Sequence, residues 1–119
     1  MFKAILREVV ENTDGAIAGI LMGFDGITVD SYLGEACGID METVGMEYSQ
    51  VLTQIKQAAQ LLEMGTAREV AVQAENMTTV MRLINDEYFV ALALQPTGNF
   101  GKARFMLRMQ AGKLLEHLV

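Results

Sequence analysis

The sequence predicts an α+β fold: a three-layer α/β/α sandwich whose middle layer is a five-stranded antiparallel sheet, in the order α-β-β-α-β-β-β-α. Three observations predict it. Apolar residues recur at helical spacing in three stretches, five short runs have strand composition or alternation, and the strand connections are short enough for hairpins, which require antiparallel pairing. With 119 residues, 51% of them apolar and 20% charged, and a single proline, the chain reads as one domain over residues 1–119 that can bury its own core.

Each element has its own signature. Phe2, Ile5, Leu6, Val9 and Val10 alternate with Lys3, Arg7, Glu8 and Glu11 at helical spacing, and "NTDG" ends that helix. "AIAGILMGF" and "ITVDSYL" are two strands joined at Asp25-Gly26, a dipeptide that tolerates the positive φ angles of a hairpin turn. Gly19 and Gly23 within the first strand mark a close approach of another element or a bulge. Asp40 caps a long helix expected over Met41 to Met64 and closed by Gly65, with Val44, Tyr48, Val51, Leu52, Ile55, Ala59 and Leu62 as its core stripe. "REVAVQAE", "TTVMRLI" and "YFVALALQ" follow as strands. The last is apolar on both faces and therefore central in its sheet. After Pro96, a helix from Asn99 to about Leu118 buries Phe100, Ala103, Leu107, Ala111, Leu114 and Leu118.

Charge and composition exclude several functions. The net charge of −6 is unevenly spread: residues 1–66 hold ten acids against three bases, and residues 67–119 five acids against six bases. Lys102, Arg104, Arg108 and Lys113 form a basic stripe on the last helix, but a solvated face or an ionic partner patch accounts for four bases without nucleic acid. Cys37 is the lone cysteine, so no disulfide closes within the chain, and a reducing, cytoplasmic setting is expected. No window has the length of uncharged apolar residues that a membrane span requires.

The stretch "QPTGNFGKARF" has glycines and a lysine at a helix start, yet its Gly98-x-x-Gly101-Lys102-Ala103 spacing is two residues short of a phosphate loop. Alanine also stands where the magnesium-binding hydroxyl belongs. A structural role is expected instead: Asn99 caps, Gly98 turns the chain and Gly101 brings the first helical turn close to the sheet. His117 is the only histidine and is expected to face solvent near the helix C-terminus. Asp30, Glu35, Asp40, Glu42 and Glu47 match no calcium loop. Met41, Met46 and Met64 are expected as core filler for the most part. No catalytic residue, cofactor site or metal site emerges.

The long helix is unusual in one respect. Between Thr43 and Leu62 its only charges are Glu47 and Lys56, while Ser49, Gln50, Thr53, Gln54, Gln57 and Gln60 supply neutral polar groups. Such a face suits a surface covered by another protein, where a buried charge would need a partner; a merely polar surface is the alternative.

"GAIAGILMGFDGITVDS", with its Asp-Gly turn between two strands, and "PTGNFGKARFMLRMQAGKLLEHL", with Asn99-x-Gly101-x-x-Arg104 at its helix start, together resemble the roadblock family. These are small domains named for a dynein light chain and found in bacteria as MglB-type regulators of small GTPases. The resemblance implies a homodimer in which the third strands pair edge to edge and the long helices lie side by side. It places Arg68, Val70, Val72, Ala74, Val51, Ile55 and Ala58 in the dimer interface, and Met46, Glu47, Gln50, Thr53, Gln54 and Gln57 on the face that meets a Ras-like small GTPase or another roadblock protein. It further implies a regulator without catalytic residues of its own, acting on the partner's GTP hydrolysis or nucleotide state. No arginine lies on the long helix to be inserted in trans, and the chain has little beyond the core domain. A non-enzymatic scaffold for a motor or signalling complex is the alternative, and a small-molecule sensor or enzyme a more distant one.

Overall fold

Eight elements follow one another in the expected order: α1 (Phe2–Glu11), β1 (Ala16–Gly23), β2 (Thr28–Leu33), α2 (Met41–Leu61), β3 (Glu69–Gln73), β4 (Thr78–Leu83), β5 (Tyr88–Leu94) and α3 (Phe100–His117). They come from a computed structural model that describes residues 1–35 and 37–118. The connector read as "GEACGID" includes Ala36, which lies outside the described residues. The sheet runs β2-β1-β5-β4-β3 with every neighbouring pair antiparallel. The doubly apolar strand β5 lies in the middle, as its composition requires.

Side chains alternate between the two faces of the sheet. Leu21, Val80, Val90, Leu92 and Leu94 face one way, onto Leu6, Val9 and Val10 of α1 and Ala103, Leu107 and Leu114 of α3. Ala18, Ile20, Met22, Met81, Phe89, Ala91 and Ala93 face the other, onto Met41 and Leu52 of α2. Gly19 lies under α1, where a Cβ would meet Val10 Cγ2 at 3.5 Å. Gly45 does the same for α2, since a Cβ there would come within 2.7 Å of Met22 Cε.

The first hairpin differs in detail from a two-residue turn. Gly26 N–H donates to Gly23 O at 2.9 Å, Gly23 N–H donates to Ile27 O at 2.9 Å, and Gly26 alone takes a positive φ, of 86°. That is a four-residue turn followed by a left-handed glycine, a hairpin type that Asp-Gly serves equally well. Asp25 Oδ1 accepts the Ile27 N–H at 3.0 Å and fixes it.

Three expectations about the helices are corrected. α2 ends at Leu61 rather than Met64, because Glu63 takes a left-handed φ of 57°. Its N–H donates to Gln60 O, and the Met64 N–H to Ala59 O, the paired bonds that close a helix C-terminus, with glutamate where glycine is usual. Val51 and Leu62, expected in the core, are 43% and 61% exposed; the helix buries Leu52 as expected, together with Met41, Gly45 and Ser49. Gly101 is exposed, and a Cβ there would meet only Asn99 Oδ1 at 3.9 Å, so it brings nothing close to the sheet. The close approach in this region belongs to Gly98, which packs its backbone against Gly15. Asn99 caps α3 as expected, accepting the Lys102 N–H at 3.0 Å. α3 also buries Met106 and Gln110, which the sequence pattern did not single out, and Gln110 Oε1 has no hydrogen-bond partner.

Candidate functional site: the β3 edge and the α2 face

β3 has a strand on one side only. Its register decides which backbone groups are free. Arg68 O accepts the Leu83 N–H at 2.9 Å, and the Ala74 N–H donates to Met77 O at 3.0 Å. Because hydrogen-bonded pairs alternate along an antiparallel ladder, Arg68, Val70, Val72 and Ala74 direct their backbone groups to β4. Glu69, Ala71 and Gln73 direct theirs outward, and among the described residues nothing bonds to them. The expected interface set named the side chains flanking this edge, while the register assigns the edge's own donors and acceptors to the residues between them.

The α2 face is only part covered. Strands about 4.8 Å apart make a five-stranded sheet about 19 Å across, and helices pack at 8–10 Å, so a face holds two helices. α1 and α3 fill one face as a pair. α2 lies alone on the other, chiefly on β1, so Val70 and Val72 of β3 are left half-buried beside Leu83 of β4.

α2 itself begins at Asp40, which accepts the N–H groups of Glu42 and Thr43 at 3.1 and 3.3 Å and the Thr43 hydroxyl at 2.9 Å. The Thr43 hydroxyl, followed by its N–H, holds the Asp40 carboxyl below its ordinary range. At 3.6 residues per turn, the stripe opposite the buried one is Glu47, Gln50, Val51, Gln54, Gln57, Ala58 and Leu61. All are exposed. Met46 beside them is 51% exposed. Ile55 and Thr53 are half-buried at the flanks, with the Thr53 hydroxyl donating to Ser49 O at 2.9 Å. Lys56 turns away: its Nζ donates to Asp86 O at 2.9 Å and sits 3.7 Å from the Phe24 ring centroid. The outward stripe is therefore left with Glu47 as its one charge.

Apolar groups add to this surface, among them Leu62 and Met64, which the sequence reading had placed in the core. Leu61, Leu62 and Met64 are 84%, 61% and 74% exposed at the end of α2. The signal was present in the sequence, since Val51, Ala58 and Leu61 fall at i, i+7 and i+10 on the back of the helix. Leu61 also borders a cavity of about 530 Å³ lined by Lys56, Gln57, Gln60, Thr66, Ala67 and Asp86. The one base in its lining, Lys56, is already engaged with Asp86 O. Among the described residues, no group of three or more His, Cys, Asp or Glu side chains is placed to hold a metal ion, and no helix is long and apolar enough to cross a membrane. Cys37 is half-buried with Sγ 3.4 Å from Ile39 O, and the exposed His117 sets its ring edge-on to Phe2.

No protein-family profile matches the chain, and no curated protein matches it. Solved structures do. MglC from Myxococcus xanthus is 43% identical, with 98% of each chain covered and a TM-score of 0.71. A Roadblock/LC7 domain from Streptomyces avermitilis has a TM-score of 0.85 at 12% identity, covering 98% of this chain and 96% of that one. Myxococcus xanthus MglB has a TM-score of 0.84 at 13% identity, covering 98% and 93%. The latter two establish the fold. With the identity to MglC they place the chain: it belongs to the roadblock family.

Proposed function

We propose that the chain works as a homodimer joined β3 to β3, and that its paired α2 helices form a face for a Ras-like small GTPase, whose GTP hydrolysis or nucleotide state the dimer modulates. One observation carries this reading: the bare β3 edge adjoins the uncovered half of the α2 face, so one neighbour can satisfy both. Edge pairing centred on Ala71 sets Glu69 opposite Gln73 of the second copy and Val70 opposite Val72. A centre on Val72 instead opposes Glu69 to Glu75, and like charges facing across strands are unfavourable. The second α2 then covers Val70, Val72 and Leu83, and Val51, Ile55 and Ala58 lie nearest the helix seam. Met46, Glu47, Gln50, Thr53, Gln54 and Gln57 remain for the partner. The regulator supplies no catalytic group and the compartment is the cytoplasm.

The test is titration with Ras-like GTPases in both nucleotide states, reading complex formation and GTP turnover, beside the Val72→Lys variant. A complex that depends on nucleotide state and weakens at least tenfold with Val72→Lys is expected. Absence of both binding and altered turnover across the candidates overturns the proposal.

The distance from MglB favours a second reading. At 13% identity the likeness shows the fold alone and carries no role on a GTPase to this chain. A dimeric adaptor that holds another roadblock protein, a motor or a signalling component then leaves turnover unchanged, and co-purification without any change in hydrolysis selects it.

A further inference from the structure

The helical face opposite α2 carries a second surface, which the dimer proposed above does not use. Phe105, Met109 and Leu115 of α3 are 45%, 58% and 41% exposed. With Gly112 they share the outward side of the helix at 100° per residue. On the same projection Lys102 and Lys113 border this strip on one side and Arg104 on the other, while Arg108 and Glu116 fall within it. Glu116 is the helix's one acid.

Two details separate this strip from an ordinary solvated face. Gly112 lies well inside the helix, where glycine is a poor helix former, and a Cβ added there would meet nothing within 4 Å. Nothing inside the chain requires a glycine, whereas a second helix crossing at that point would gain close backbone approach. The cations are also largely unspent. Arg104 pairs with Glu69 at 2.7 Å, but Lys102, Arg108 and Lys113 have no ion pair among the described residues. Arg108 instead lies 6.0 Å from the Phe105 ring centroid, so a cation sits within the apolar strip itself.

We propose that the outward side of α3 docks an acidic amphipathic helix of another protein, with its apolar side on Phe105, Met109 and Leu115 and its carboxylates on Lys102, Arg108 and Lys113. Charge complementarity selects that occupant. A second copy of α3 would bring the same cations together. An anionic membrane would face a chain whose net charge is −6, with only a handful of bases to attract it.

The probe is a fluorescent helix-forming peptide of about 20 residues, long enough to be partly helical alone, with leucine on one side and glutamate on the other. Its anisotropy is read against the full chain. Saturable binding that weakens with added salt is expected. A double Arg108→Glu and Lys113→Glu variant should weaken it at least tenfold. Gly112→Leu should do the same while keeping or raising the melting temperature, since leucine favours the helix. A variant with Ala71→Pro, which removes an outward N–H from the β3 edge and should prevent the proposed edge pairing, should bind the peptide as well as the parent, because the site lies within one copy. The proposal is overturned if the glutamate peptide does not bind, or if its lysine counterpart binds equally well. It is likewise overturned if Gly112→Leu has no effect, or if phosphatidylserine vesicles are bound in preference to the peptide.

Discussion

The two edges of the sheet are finished in opposite ways. At β2, the register pairs Ile20 with Ser31 outside the hydrogen-bonded positions, so the backbone groups of Ser31 point outward. Both are taken: Asp30 Oδ1 accepts the Ser31 N–H at 2.8 Å, and Lys3 Nζ donates to Ser31 O while lying 3.4 Å from Asp30 Oδ1. Tyr32 then ties the strand to α1 through Glu11 at 2.7 Å, and Glu11 is held by Arg7 at 3.1 Å. At β3, the outward groups of Glu69, Ala71 and Gln73 meet nothing among the described residues. The one tie to that strand, Arg104 to Glu69, comes from α3 on the face away from α2. An exposed strand edge invites pairing, and lysine on an edge is a common defence. The molecule occupies the middle of one edge, at Ser31, and leaves the other open along its length, so the open one is where the proposed second copy would pair.

Proline at matched outward positions gives the largest expected effect and breaks the comparison most directly. Ala71→Pro removes an outward N–H at β3, and an edge strand tolerates proline at such a position. The variant should fold cooperatively yet run as a monomer in sedimentation velocity, with a dimer dissociation constant raised by roughly a hundredfold, about 3 kcal/mol. Ser31→Pro removes the corresponding N–H at β2, which a neighbouring side chain already occupied, and its mass should equal the parent's. Equal masses for the parent and Ala71→Pro would mean that the open edge is not an interface.

Much of this arrangement was legible in the sequence, for identifiable reasons. Period-two alternation and short turns gave the strands, and the all-apolar "YFVALAL" announced the central one. What failed were positions where one local pattern serves two surfaces. α2 is apolar on its sheet side and again along Val51, Ala58 and Leu61, so a single stripe count merged the two and put Val51 and Leu62 in the core. Gly101 and Gly98 look alike in sequence; only the packing of Gly98 against Gly15 tells them apart. The edge strand itself came from family resemblance, and alternation could not say which of its residues hold the free backbone groups.

A smaller effect is expected in the segment that leads from α2 to the open edge. Glu63 at φ 57° occupies a conformation that costs a side-chain-bearing residue about 1–2 kcal/mol, part of which glycine would give back through its larger unfolded-state entropy. Glu63→Gly should therefore stabilise by about 0.5–1 kcal/mol, a rise of roughly 2–5 °C in melting temperature. Measured in both the parent and the Ala71→Pro background, the gain should be the same. A gain confined to the dimer would tie the strained residue to the interface.

The smallest effect lies at the defended edge and is read by acid. The Tyr32 hydroxyl, and after it Arg7, hold the Glu11 carboxyl below its ordinary range, as Thr43 does for Asp40. A carboxylate whose folded value is depressed contributes stability that is whole above its unfolded value, near pH 4, and drains as the pH falls through the folded value. Tyr32 has the opposite sign: its hydroxyl is held above the ordinary range, chiefly by Glu11, so its share is present below about pH 10 and lost as pH rises through the raised value. Melting temperatures from pH 6 to pH 3 should fall more steeply in the parent than in Tyr32→Phe, which takes away the main hydrogen bond to Glu11 and leaves the Asp40 cap intact. Parallel slopes would mean that Tyr32 and Glu11 do not hold β2 to α1, and that Lys3 and Asp30 alone close that edge.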